Sequence, residues 1–259
     1  MQNYSDRYFC GYFINSKKIN DANIIFNFCS LINDTALKSK DSIFLHIKLQ
    51  WYIDALKFPM IEKIGVKEID ELRNLVSIYN LDINDFILYI QSKLIDLDTF
   101  PFKSVEDVLS YAKNTEGVIW QNIARINSVY ITETVEEAID KISQSYCILG
   151  LVRNFIYFYN VKNTYILLFN YNETSKDIDL IIQNRVKELL QIANNLIKQS
   201  NLLLQNEHKS VKKFLLLNEF TKNYIKNFHK VDSQVLKADF FNISRFTFLK
   251  ILIKHLFTR

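Results

Sequence analysis

Four glycines and two prolines in 259 residues set the tightest limit on what this chain can become. β-Sandwiches and barrels reverse the chain every few residues. Their tight turns draw on glycine for positive φ and on proline for a preset φ. A doubly wound α/β fold needs glycine where its backbone approaches phosphate. Neither supply exists here. Long helices with short polar connectors remain, and a hydrophobic share of 49% gives them material for a sizeable core. The expected fold is all-α, a single domain over residues 1–259.

Charge and cysteine usage narrow the function classes. The net charge is +4 with both signs interspersed, whereas nucleic-acid binding needs a concentrated basic stripe. Cys10, Cys29 and Cys147 are odd in number and far apart, which fits buried, reduced thiols better than a disulfide framework. No Cys-x-x-Cys pair occurs, and His46, His208, His229 and His255 have no metal-ligand spacing. The opening Met1-Gln2-Asn3-Tyr4-Ser5-Asp6 resembles neither a signal nor a transit peptide. No uncharged apolar run reaches the ~18 residues of a membrane span. The enrichment in Ile, Asn, Lys, Phe and Tyr reads as AT-rich coding. The expected location is the cytoplasm, with peripheral contact at the inner membrane.

Apolar spacing and capping residues predict the helices. Asn20 or Asp21 caps a helix from about Ala22, with Ile24, Phe28, Leu31 and Ile32 on one face. Asp41-Ser42 opens a second, with Ile43, Ile47, Trp51, Ile53, Ala55 and Leu56 inside and a stop near Pro59. Val66 to Tyr79 is a third, broken by Asn80-Leu81-Asp82. Asp82 or Asn84 caps Phe86 to Leu97, and Asp96 to Pro101 is a loop. Ser104-Val105-Glu106-Asp107 starts one long helix through Ile123. Thr134 to Phe158 is another, followed by a turn at Asn160 to Asn163 and an extended linker at Thr164 to Tyr171. Helices from Ser175 to about Leu204, Lys209 to Phe228 and Phe246 to Phe257 complete the set.

Several blocks, in order, resemble the squalene/phytoene synthase family. Tyr8-Phe9-Cys10-Gly11-Tyr12-Phe13 is similar to its opening aromatic segment. Ile25 to Leu37 stands where the family has Tyr-x-Phe-Cys-Arg-x-x-Asp-x-x-x-Asp. Cys29 is kept, Ser30 replaces the Arg, and Asn33 and Leu37 replace the two Asp. Ile47 to Leu56 resembles Arg-Leu-x-Trp-Trp-x-Asp-Ala-Leu, and Tyr111 to Gly117 resembles a Tyr-x-x-x-x-x-Gly segment. Ser143 to Phe158 resembles the second signature helix, ending Leu-x-x-x-Arg-Asp-x-x-x-Asp. Here Arg153 is kept, but Asn154 and Phe158 replace the Asp residues. Phe214 to Asp239 has the spacing of the late helices.

The resemblance implies the isoprenoid synthase fold. Active members ionise an allylic diphosphate and join two prenyl chains. Facing Asp-rich helices hold the Mg²⁺ that holds the diphosphate, because unpaired charge in an apolar cavity is very costly. With Asn33, Leu37, Asn154 and Phe158 at those positions, all four charges are lost, and Asp34 is a leftover carboxylate beside the first motif. The pattern is most similar to the degenerate branch related to the mitochondrial complex I assembly factor. That branch implies a non-catalytic assembly or scaffold protein without a metal or cofactor, acting on a protein partner such as a respiratory complex subunit. The competing expectations are an active prenyl transferase with unusual Mg²⁺ ligands, for which Asp34 and Asp54 are candidates, and an isoprenoid-binding module.

Arg153, Tyr111 and Tyr146 are the expected pocket residues. Arg153 is a relic anion contact or a structural ion pair. Tyr146, Phe155, Tyr157, Phe158 and Tyr159 line a prenyl tunnel or pack the core, and the spacing favours the core. Arg245 to Arg259, basic and apolar, is expected either to lie on an anionic membrane surface or to pack as a last helix.

Overall fold

The computed structural model describes residues 5–38, 42–59, 62–98, 101–162, 178–229 and 250. Helices joined by short turns make them up, with no strand among them. The all-α expectation holds. The expected linker at Thr164 to Tyr171 and the membrane segment Arg245 to Arg259, apart from Lys250, lie outside the described residues.

In chain order the helices are α1 (Ser5–Ile14), α2 (Ile19–Lys38), α3 (Ser42–Lys57), α4 (Lys67–Tyr79), α5 (Ile83–Leu94), α6 (Val105–Ala112), α7 (Val118–Ile126), α8 (Glu133–Lys162), α9 (Ile178–Leu203), α10 (Lys209–Lys212) and α11 (Leu216–His229). The chain forms two compact units: Met1–Asp98 with Asn114–Ile131, and Thr99–Lys113 with Thr132–Arg259.

Local chemistry sets the boundaries. Asn15 caps a 3₁₀ turn at Ser16–Lys18 that runs into α2, so α2 starts at Ile19, earlier than the Asn20 or Asp21 cap predicts. Asn80 takes left-handed φ of 49° after α4, a conformation Asn tolerates better than most residues. Asp82 rather than Asn84 caps α5, accepting from the Asn84 backbone N–H. Ile95–Leu97 is a 3₁₀ turn where α5 was expected to continue. Ser104 and Asp107 form a capping box at the start of α6. The single long helix expected from there is divided: a π turn at Lys113–Gly117 separates α6 from α7. Asn160 is not a turn, because α8 runs on to Lys162. Lys209 to Phe228 is likewise divided by a 3₁₀ turn at Lys213–Leu215.

In the first unit, α2 is the central element. Its Phe26 meets Tyr8 and Trp120 edge-on at 5.2 and 5.8 Å, and Phe28 meets Phe86 at 5.8 Å. Gly11 lets α1 approach this cluster, since a Cβ there would stand 2.9 Å from the Phe26 ring. Behind α3 the chain is fastened by Arg73, which is buried. It donates to the carbonyls of Phe58, Pro59 and Glu62, while Asp70 accepts from the backbone of Ile64 and of Gly65, whose φ is +84°.

α3 departs from expectation. Ile43, Ile47 and Trp51 were expected inside, but they are 72%, 64% and 45% exposed, with Phe44 at 55%. The buried face is Leu45, Leu49, Tyr52, Ile53 and Leu56. The helix is apolar on both sides, so spacing alone could not choose between two equally good faces.

In the second unit, α8 packs along α9 and against α11 and α6. Lys113 pairs with Asp140 at 3.1 Å, and Gln144 donates to the Leu109 carbonyl. A fully buried polar trio ties three helices: Asn218 of α11 donates to Ser200 of α9 at 2.8 Å, and Ser145 of α8 donates to Asn218.

Candidate functional site

The first motif lies on α2, in the first unit, and the helical repeat sends its polar residues to different sides. Phe26, Cys29 and Asn33 share the inner face. Asn33 accepts from the Tyr89 hydroxyl of α5 at 3.4 Å, a weak bond. Cys29 is fully buried beside the same tyrosine. Burial pushes its thiol up to about 11, while the nearby Arg7 guanidinium and the Tyr89 hydroxyl pull the other way. Arg7 itself is ion-paired with Glu116 in the π turn, both largely buried, and the Trp120 indole donates to the same carboxylate at 3.3 Å.

Asp34 lies round the helix from Asn33. It lines a groove with Asn27, Ser30, Leu31 and Thr35 of α2, Phe44, Leu45 and Lys48 of α3, and Glu68 of α4, enclosing about 470 Å³. Ser30 and Thr35 donate to carbonyls of their own helix. Leu37 occupies the second motif position on α2; its side chain is outside the described residues. Asp54, the other expected substitute ligand, is exposed on α3 and accepts from Gln50 at 3.0 Å.

The second motif lies on α8, in the second unit. The Asn154 carboxamide donates back to the Gly150 carbonyl one turn earlier at 2.8 Å. Arg153 is half-buried, with its guanidinium 4.3 Å from the centre of the Tyr224 ring of α11, a cation–π contact. Tyr146, Phe155 and Tyr111 are buried, and Tyr111 meets Phe102 edge-on at 5.3 Å. These are core placements. The side chains of Tyr157, Phe158 and Tyr159 are outside the described residues.

The donors can be set against the Mg²⁺ that the resemblance implies. A hard dication needs several oxygens, most of them charged. The four motif positions offer two neutral carboxamides, both engaged within the protein, and two hydrocarbon side chains. Among the described residues no three His, Cys, Asp or Glu side chains gather as a metal site. The side chains at these four positions do not fit the ion.

Arg7, Tyr89, Glu116 and Tyr224 are the site neighbours that sequence reasoning missed. Each meets its partner across a long sequence separation, and only the short Glu116-to-Trp120 spacing left a local trace.

No family model and no curated protein matches the sequence. Solved structures do resemble it. The squalene synthase HpnC from Alicyclobacillus acidocaldarius shares 13% identity at a TM-score of 0.72, over 89% of each chain. A dehydrosqualene synthase in complex with ligand shares 14% at a TM-score of 0.75, over 98% of this chain and 92% of its own. No described helix is long and apolar enough to cross a membrane. At such identities the likeness shows architecture alone: the chain has the all-α fold of the squalene and dehydrosqualene synthases.

Proposed function

We propose that this protein is a non-catalytic relative of the squalene and phytoene synthases, acting as a scaffold or assembly protein for a protein partner. The observation that carries this reading is the state of Asn33 and Asn154. They are the two motif positions that keep a polar atom, and both are neutral and hydrogen-bonded within the protein. A diphosphate leaving group needs a cluster of carboxylate-held cations, and nothing at these positions supplies charge. Respiratory complex I biogenesis, with a respiratory subunit as partner, is the context the sequence resemblance adds. Peripheral membrane contact through Arg245 to Arg259 belongs to the same proposal.

The likeness to two synthases favours a second reading, a Mg²⁺-dependent prenyl transferase with substitute ligands. Asp34 works against it, since it lies on the groove side of α2 and Asn33 on the other. Thermal unfolding separates the two. A ligand that binds only the folded state raises Tm, by about 2.7 kcal/mol of stability at a hundredfold excess over Kd. Farnesyl diphosphate with Mg²⁺ is expected to leave Tm where Mg²⁺ alone leaves it. A rise that EDTA abolishes supports the enzyme.

A further inference from the structure

We propose that the groove between α2, α3 and the start of α4 is a binding site for a small zwitterion of the free α-amino acid class, whose carboxylate meets Lys48 and whose ammonium meets Glu68. The inference goes beyond the scaffold reading and does not depend on it.

Two features of the first unit carry it, the enclosed space and the charges set around it. The groove encloses about 470 Å³, within the ~300–1,000 Å³ of small-molecule sites. Lys48 of α3 and Glu68, in the first turn of α4, both line it, and both are half-buried. They do not pair with each other. Neither has a hydrogen-bond or ion-pair partner among the described residues. Lys67, the cation next to Glu68 in sequence, turns to Glu71 at 3.8 Å. A half-buried charge has given up part of its hydration, and a ligand group of opposite sign supplies what the protein does not.

Charge selects the occupant. Asp34 is a third charged lining residue, so a plain anion would meet two carboxylates beside one ammonium. A plain cation would leave Lys48 unanswered, and an apolar guest would strip water from all three. A molecule carrying both signs satisfies Lys48 and Glu68 together, and the double match discriminates it from either half. Leu31 of α2 and Leu45 of α3 give the same groove an apolar wall, which fits an aliphatic side chain. Leucine has all three parts.

The test applies saturation-transfer NMR and calorimetry to the full chain with three probes: leucine; 4-methylpentanoate, which lacks the ammonium; and 3-methylbutylamine, which lacks the carboxylate. Leucine is expected to bind, and each half-probe about tenfold or more weaker, the worth of one charge-assisted hydrogen bond. Lys48→Met is expected to bring leucine down to the level of 3-methylbutylamine while leaving that amine no weaker. Glu68→Gln is expected to bring leucine down to the level of 4-methylpentanoate while leaving that acid no weaker. This crossed pattern separates a ligand contact from a loss of folding, which weakens all three probes alike. The probe comparison on the native chain stands even where a variant fails to fold. Three outcomes overturn the proposal: no binding of leucine; a half-probe that binds as tightly as leucine; or leucine binding that both variants leave intact.

Discussion

Burial holds the Cys29 proton to about pH 11, whereas the thiol of an unfolded chain ionises near 9.0. Between those values the unfolded state binds fewer protons than the folded one. Stability that is fully present below pH 9 is therefore lost as pH rises through 11. A shift of that size corresponds to something on the order of 2–3 kcal/mol. Denaturant midpoints measured from pH 8 to 11 are expected to fall more steeply for the native chain than for Cys29→Ala; parallel profiles would refute this. Residue identities at the motif were legible in the sequence, since Asn33, Leu37, Asn154 and Phe158 are plainly not aspartate. Their engagements were not. Tyr89 is 56 positions from Asn33, and Tyr224 is 71 from Arg153. No local pattern encodes such pairings.

At the scale of the element, most helices could be read from caps and spacing. The Ser104/Asp107 box, the Asp82 cap and the Asn80 stop all stand where side-chain chemistry puts them. Spacing failed where a helix has two apolar faces, as in α3. It also failed where the helical repeat slips, as at Lys113–Gly117, because a π turn keeps the same buried residues while adding one to the turn. The segment after α3 shows an element held by one side chain. Arg73 supplies the donors for three carbonyls between Phe58 and Glu62, which close the C-terminal end of α3 much as a capping cation does. Arg73→Ala removes a buried guanidinium and leaves three carbonyls, on the exposed residues Phe58, Pro59 and Glu62, without their donor. The expected loss is about 3 kcal/mol, seen as a lower urea midpoint at unchanged m-value. A loss below about 1 kcal/mol would mean that water replaces the guanidinium freely.

For the whole molecule, fold and function ask different things of the sequence. The chain keeps the architecture of squalene and dehydrosqualene synthases at 13% and 14% identity. An all-α fold tolerates such divergence because helix faces ask only for apolar volume, while a metal centre asks for particular atoms. Scarcity of glycine and proline made the fold class legible, and the ordered motif blocks made the fold family legible. On the proposed reading, whether the site works depends on Asn33, Leu37, Asn154 and Phe158, none of which carries charge. The most direct test is release of diphosphate from farnesyl and geranylgeranyl diphosphate by the purified full chain, with and without Mg²⁺. Retired chemistry predicts no Mg²⁺-dependent release, and none gained on adding excess enzyme. Release that requires Mg²⁺ and stops with EDTA would contradict it.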